Sequence, residues 1–146
     1  MRRIRVVSYI LAAVTLASCG SDKLTGPGDQ SPTTVSGVFA LRLVNQTSLP
    51  YSFSIPDAGS AVFTLTSDRI TLQADGKYTE VSLVTVTQGG QTMGPATISS
   101  SGTFVYTPSS HAISLLASDG ARITGAVLND TMTLTDDSDT LVFKRE

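Results

Sequence analysis

The chain has 146 residues, 40% of them hydrophobic and 15% charged, with a formal net charge of −2, one cysteine and no tryptophan. That length is ample for one core-bearing domain and short for two. The mildly acidic balance lacks the basic footprint of a nucleic-acid binder, and a lone cysteine excludes an intramolecular disulfide framework.

The chain opens MRRIRVVSYILAAVTLASCG. Arg2, Arg3 and Arg5 give a positive start, and the apolar run Val6 to Leu16 falls short of the roughly 20 residues that span a hydrocarbon layer. Charged start, short apolar core and small residues at the end form the pattern of a secretory signal. The end of that signal, Leu16-Ala17-Ser18-Cys19, resembles the lipobox of bacterial lipoproteins. The resemblance implies a diacylglyceryl group on the Cys19 thiol and cleavage that leaves Cys19 as the first mature residue. A thiolate is the nucleophile suited to making that thioether. Two or more acyl chains anchor stably, where one binds only marginally. The expected partner is therefore a membrane, reached through the lipid on Cys19. Gly20 stands where an Asp would retain an enteric lipoprotein at the inner membrane, so residence at the outer membrane is expected.

Residues 1–18 hold three of the ten Lys and Arg and none of the twelve Asp and Glu, which leaves seven against twelve, or −5, in the rest. After Cys19, GSDKLTGPGDQSPTT is too polar and too rich in Gly and Pro to pack. Residues 19–34 read as a lipidated Cys and flexible tether, averaging roughly 20–25 Å end to end. Residues 35–146 read as one domain.

The strands of that domain follow in order. Phe39, Leu41 and Leu43 share one face of a period-two pattern, with Ala40, Arg42 and Val44 on the other. Gln46 to Pro50 turn the chain, and Tyr51, Phe53 and Ile55 alternate until Pro56. Ala61, Phe63 and Leu65 form a third run, Ser67-Asp68 a turn, and Ile70, Leu72 and Ala74 a fourth run. Asp75-Gly76 is a strong hairpin signal ahead of KYTEVSLVTVT, in which Tyr78 shares a face with Glu80 and Ser82. A bulge near Glu80 would reconcile that strand with an apolar inner face. Gln88 to Thr97 reads as a loop. GTFVY, AISLLA, ARITGAV, TMTLT and TLVFK then succeed one another, separated by turn residues that include Asp119-Gly120, Asn129-Asp130 and Asp136 to Asp139.

No segment carries a helical apolar stripe. The pattern predicts an all-β, antiparallel up-and-down meander of about eight to ten strands, with a closed barrel favoured over a β-sandwich because closure removes exposed edges. The segments GVFALRLVNQTSLPY, LTSDRITLQADGKYTEV, SGTFVYTP, SDGARITGAVLNDTMTLTDD and TLVFKRE also resemble those of small lipocalin-like (calycin-type) bacterial lipoprotein domains. Phe39 stands two residues after Gly37, where the lipocalin Gly-x-Trp signature has Trp. The resemblance implies the barrel and says little about activity.

Chemistry-bearing residues are few. His111 is the sole histidine, and no Gly-x-Ser-x-Gly elbow accompanies it, so it reads as a turn residue and not as a catalytic base. Asp136, Asp137 and Asp139 offer hard oxygen ligands without the spacing of a calcium loop, and read as a turn. No catalytic residue, metal site or cofactor is expected. Phe39, Tyr51, Phe53, Phe63, Tyr78, Phe104 and Tyr106 either form the core or line a pocket for a small apolar ligand, with Tyr51 at its mouth. The expectation is a non-enzymatic envelope lipoprotein that binds such a ligand; the alternative is an interaction or structural module with a filled barrel, and a hydrolase is remote.

Overall fold

The computed structural model describes residues 35–55, 58–136 and 139–146. The lipobox with Cys19, the tether, and Asp137 of the acidic turn lie outside the described residues.

Ten antiparallel strands form one sheet: β1 Gly37–Val44, β2 Thr47–Ser48, β3 Tyr51–Ser54, β4 Val62–Leu72, β5 Lys77–Gln88, β6 Gln91–Thr107, β7 Ala112–Ala117, β8 Arg122–Leu128, β9 Thr131–Asp136 and β10 Asp139–Arg145. From β4 onward each strand pairs with the next, β10 pairs with β1, and β1 pairs with β4. That last pairing closes an eight-stranded up-and-down barrel, the size at which side chains just fill the interior. β2 and β3 are outside the closure, added to the edges of β1 and β4. The expected all-β closed barrel is therefore the observed architecture.

Alternation drives this closure. Along β7, Ile113 and Leu115 are buried between exposed or half-buried neighbours; along β9, Met132, Leu134 and Asp136 point inward. Phe39, Phe143, Met132 and Val44 are wholly shielded from solvent.

Four local expectations are corrected. Arg42 is a bulge, because Leu41 opposes Phe143 while Leu43 opposes Val142. The bulge shifts the inward face, so that Val44 is buried and Leu43 turns outward. Ser67-Asp68 is no turn: it lies inside the continuous strand β4, where an extra residue, Thr66, bulges between the pairs Leu65–Val84 and Ser67–Leu83. Gln88 to Thr97 is a hairpin, not a loop. Gly89 and Gly90, both at positive φ, make its turn, and residues from Gln91 onward pair with β5.

The fourth correction concerns Glu80. Pairing between β4 and β5 runs unbroken from Ser67–Leu83 to Leu72–Tyr78, so no bulge occurs there. Tyr78, Glu80, Ser82 and Val84 all face the interior. The parity that looked inconsistent with an apolar core is real, and the barrel carries polar groups inside.

Candidate functional site

Two neighbouring features contain most of the polar chemistry, and both follow from strand register. The first is a polar ladder on the inner wall of β4, β5 and β6. Asp68 on β4 lies opposite Ser82 on β5, and Glu80 on β5 lies opposite Ser100 on β6. Ser82 Oγ donates to Asp68 Oδ1 at 3.1 Å, and Ser100 Oγ donates to Glu80 Oε2 at 2.6 Å. Asp68 and Glu80 sit diagonally across the β4–β5 pair, within mutual reach on one face. Asp68 is 2% exposed, and its Oδ2 is buried with no hydrogen-bond partner of ordinary geometry.

Asp136 joins from the far wall. At the end of β9 it is buried, and with Glu80, Ser100 and Tyr78 it borders an interior void of ≈ 30 Å³. Such a void has room for about one water molecule. Apolar side chains including Ile70, Leu115 and Leu134 complete its wall.

Burial sets the electrostatics. It pushes the Asp68 carboxyl well above its ordinary value of 3.8, and the charge of Glu80 pushes it further, against the hydrogen bond from Ser82. Glu80 is raised by burial and by Asp136, while the hydroxyl of Ser100 and the carboxyl of Asp68 pull it down. Tyr78 is pushed up to about 12, chiefly by burial and then by Glu80. Among the described residues no trio of His, Cys, Asp or Glu is arranged to hold a metal ion.

The second feature is a seam. β1 and β4 pair only from Gly37–Leu72 to Ala40–Arg69. Beyond Ala40 they part, β1 towards β2 and β4 towards β3. Both bulges, Arg42 and Thr66, lie at the point of divergence, as bulges do where a strand must bend away. Between the parted strands lies an open cleft of ≈ 500 Å³, lined by Arg42, Ser48, Thr66, Asp68, Arg69 and Glu146 among others. Arg69 Nη2 meets Glu146 Oε1 at 3.0 Å across it. Asp68 therefore belongs to both features, facing the ladder and forming part of the cleft wall.

The seven aromatic candidates separate into two groups. Phe39, Phe63, Tyr78, Phe104 and Tyr106 are buried in the core. Tyr51 and Phe53, on the added strand β3, are half-buried and pack against that core. Tyr51, Phe53 and Phe63 form one stack, with successive ring centres 6.2 and 5.7 Å apart. His111 sits in the β6–β7 turn at φ +58°, and its Nδ1 lies 3.2 Å from the Tyr106 hydroxyl. Asp139 accepts a hydrogen bond from Asn45 Nδ2, which ties the start of β10 to the end of β1.

Sequence reasoning missed Asp68 and Glu80. A period-two reading places polar residues outside by default, and so it reads Asp68 as part of a turn. The available signal was the shared face of Tyr78, Glu80 and Ser82 on β5, taken at its simplest. The chain finds no match among protein-family models, among curated protein sequences or among solved structures.

Proposed function

We propose that this chain is a lipid-anchored lipoprotein of the cell envelope, held at the outer membrane through Cys19, whose lipocalin-like barrel is a filled, non-enzymatic module that works through its surface. The observation that carries the choice is the void of ≈ 30 Å³ between Glu80, Asp136 and the surrounding apolar side chains. Pockets that hold small molecules occupy about 300–1,000 Å³. Phe39, Phe63, Phe104 and Phe143 are buried in the core, where an apolar ligand would have to sit. The cleft at the seam is larger but open and mostly polar, so it does not suit an apolar guest.

The lipocalin-like reading gains support from the closed barrel and from Phe39, which stands in the Trp place of the Gly-x-Trp signature and is wholly buried. The non-enzymatic reading is supported by His111, whose Nδ1 has the Tyr106 hydroxyl as its hydrogen-bond partner among the described residues, where a catalytic triad would place an acid. A surface role suits the outer part of the β5–β6 hairpin. Residues 91–97 there are all exposed, and Met93 is 55% exposed.

The test is expression of the full chain in a bacterial host, followed by membrane fractionation and mass analysis of the peptide that begins at Cys19. The expected result is a peptide carrying a diacylglyceryl group, and no glycerol-linked acyl chains once Cys19→Ser is introduced. Titrating residues 31–146, exported without the anchor, with a fluorescent fatty acid should give no saturable one-to-one binding. Acyl chains still attached to the Cys19→Ser protein would refute the anchor, and stoichiometric uptake of the probe would refute the filled barrel.

A further inference from the structure

Among the described residues, Asp68 belongs both to the interior ladder and to the wall of the cleft at the seam. Its side chain is 2% exposed, its Oδ2 is buried without a partner of ordinary geometry, and the Glu80 carboxyl interacts with it on the same inner face. Two ionised carboxylates so placed in a low-dielectric interior repel each other strongly, and neither orphan oxygen nor repulsion is tolerated without compensation. A proton is the one ligand small enough to supply it, because Oδ2 has no exposed surface through which anything larger could bind.

We propose that Asp68 and Glu80 hold a single proton between them, and that its loss opens the barrel at the seam between β1 and β4. This goes beyond the surface-module reading and does not depend on the lipid anchor.

The groups around the pair leave no other means of neutralising it. On the interior side, β5 contributes Tyr78 and Glu80 and β9 contributes Asp136, all acids. β6 contributes the Ser100 hydroxyl, while the inward residues of β7 and β8 are uncharged. On the cleft side stand Arg42, Arg69 and Glu146. Arg69 is paired with Glu146, and its side chain is 62% exposed. Arg42 is exposed on the outer side of its bulge. Arg145, from β10, is engaged at the barrel end by Asp130 and by the ring of Phe39. No described cation reaches Asp68.

The direction of failure follows from the topology. With one proton shared, Asp68 Oδ1 keeps its bond from Ser82, and the β4–β5 wall remains continuous. With that proton gone, the second charge must be hydrated. Bulk solvent lies on the cleft side, whose wall includes Asp68. The adjacent pair Ala40–Arg69 is the last rung of a four-rung ladder, with parted strands beyond it. Hydrating Asp68 therefore unpicks β1 from β4 at that rung first. The β8–β9 wall, on the far side of the barrel, remains paired.

The experiment is hydrogen–deuterium exchange of the full chain between about pH 5 and about pH 9, with rates divided by the intrinsic pH dependence of amide exchange. Peptides covering Ala40 and Arg69 are compared with peptides covering Thr124 and Thr133 for the wild type and for Asp68→Asn. In the wild type, the normalised exchange at the seam should rise by about tenfold per pH unit through the titration, the factor that release of one proton imposes. The β8–β9 peptides should not follow, and Asp68→Asn should abolish the rise. Glu80→Gln provides an independent arm: with the neighbouring charge removed, the rise should level off at lower pH. Seam exchange that tracks the intrinsic rate at every pH in the wild type would overturn the proposal. So would a rise shared equally by the β8–β9 wall, or one unchanged by Glu80→Gln.

Discussion

The guanidinium of Arg145 lies 4.6 Å from the centre of the Phe39 ring, directly over it, and so joins the last barrel strand to the first. Its Nη1 donates to the carbonyl of Ser36 at 2.6 Å and its Nε meets Asp130 at 3.3 Å. Gly37 makes room for this: a Cβ there would lie 2.3 Å from Nη1, at φ +147°. Arg145→Ala removes a cation–π contact and a charged hydrogen bond, and should cost about 2 kcal/mol. Arg145→Lys should recover only part, since an ammonium cannot stack and fork at once. Urea midpoints of the two variants check both. Gly37→Ala should be destabilising alone and less than additive with Arg145→Ala, because both act on one contact.

A second tight approach lies across the barrel. Gly125 on β8 faces Leu134 on β9, and a Cβ would come within 1.9 Å of the Thr133 carbonyl oxygen and 2.9 Å of Leu134 Cα. Backbone cannot swing aside as a side chain can. Gly125→Ala should lose about 1–3 kcal/mol or prevent folding, as overpacking does. Thermal unfolding would show it, and an unchanged midpoint would contradict so close an approach of the two strands.

The filled core makes its own prediction. Phe143 is wholly buried, so Phe143→Ala should cost about 3–5 kcal/mol and leave an apolar cavity. A cavity of that kind stays dry and takes up xenon or benzene. Stabilisation by benzene should therefore be seen in Phe143→Ala and not in the wild type. Equal stabilisation of both proteins would show that the wild-type barrel already has space.

Folding raises the proton affinity of Asp68 and Glu80 above their ordinary values of 3.8 and 4.5. The folded pair thus retains one proton that the unfolded chain has released. Its contribution is complete at pH below those ordinary values and is lost as pH rises towards the folded ones, by up to about tenfold in the folding equilibrium per pH unit. Asp75 acts in the opposite sense, since Lys77 lowers it, but it is fully exposed and screened. Stability measured by urea unfolding should therefore fall as pH rises above those ordinary values, and Asp68→Asn should flatten the slope.

The sequence made the strands legible where alternation met no irregularity. β7 to β10 and their turns at Asp119-Gly120 and Asn129-Asp130 agree with the structure because each register there is continuous. β1 and β4 were misread at their bulges: one extra residue, Arg42 or Thr66, reverses the parity of everything beyond it. The outer β5–β6 hairpin was hidden by Gly89, Gly90, Gly94 and Pro95, residues that signal turns locally and yet sit in or beside a paired ribbon here. The acid ladder was least visible. Asp68 and Ser82 are fourteen residues apart, and only the β4–β5 register brings them together.

The central claim is that the barrel is occupied by its own side chains. It is tested most directly by native mass spectrometry of residues 31–146, exported without the anchor, compared with the same chain denatured. The account predicts one mass in both states, that of the polypeptide alone. A stoichiometric extra mass that departs only on unfolding would contradict it.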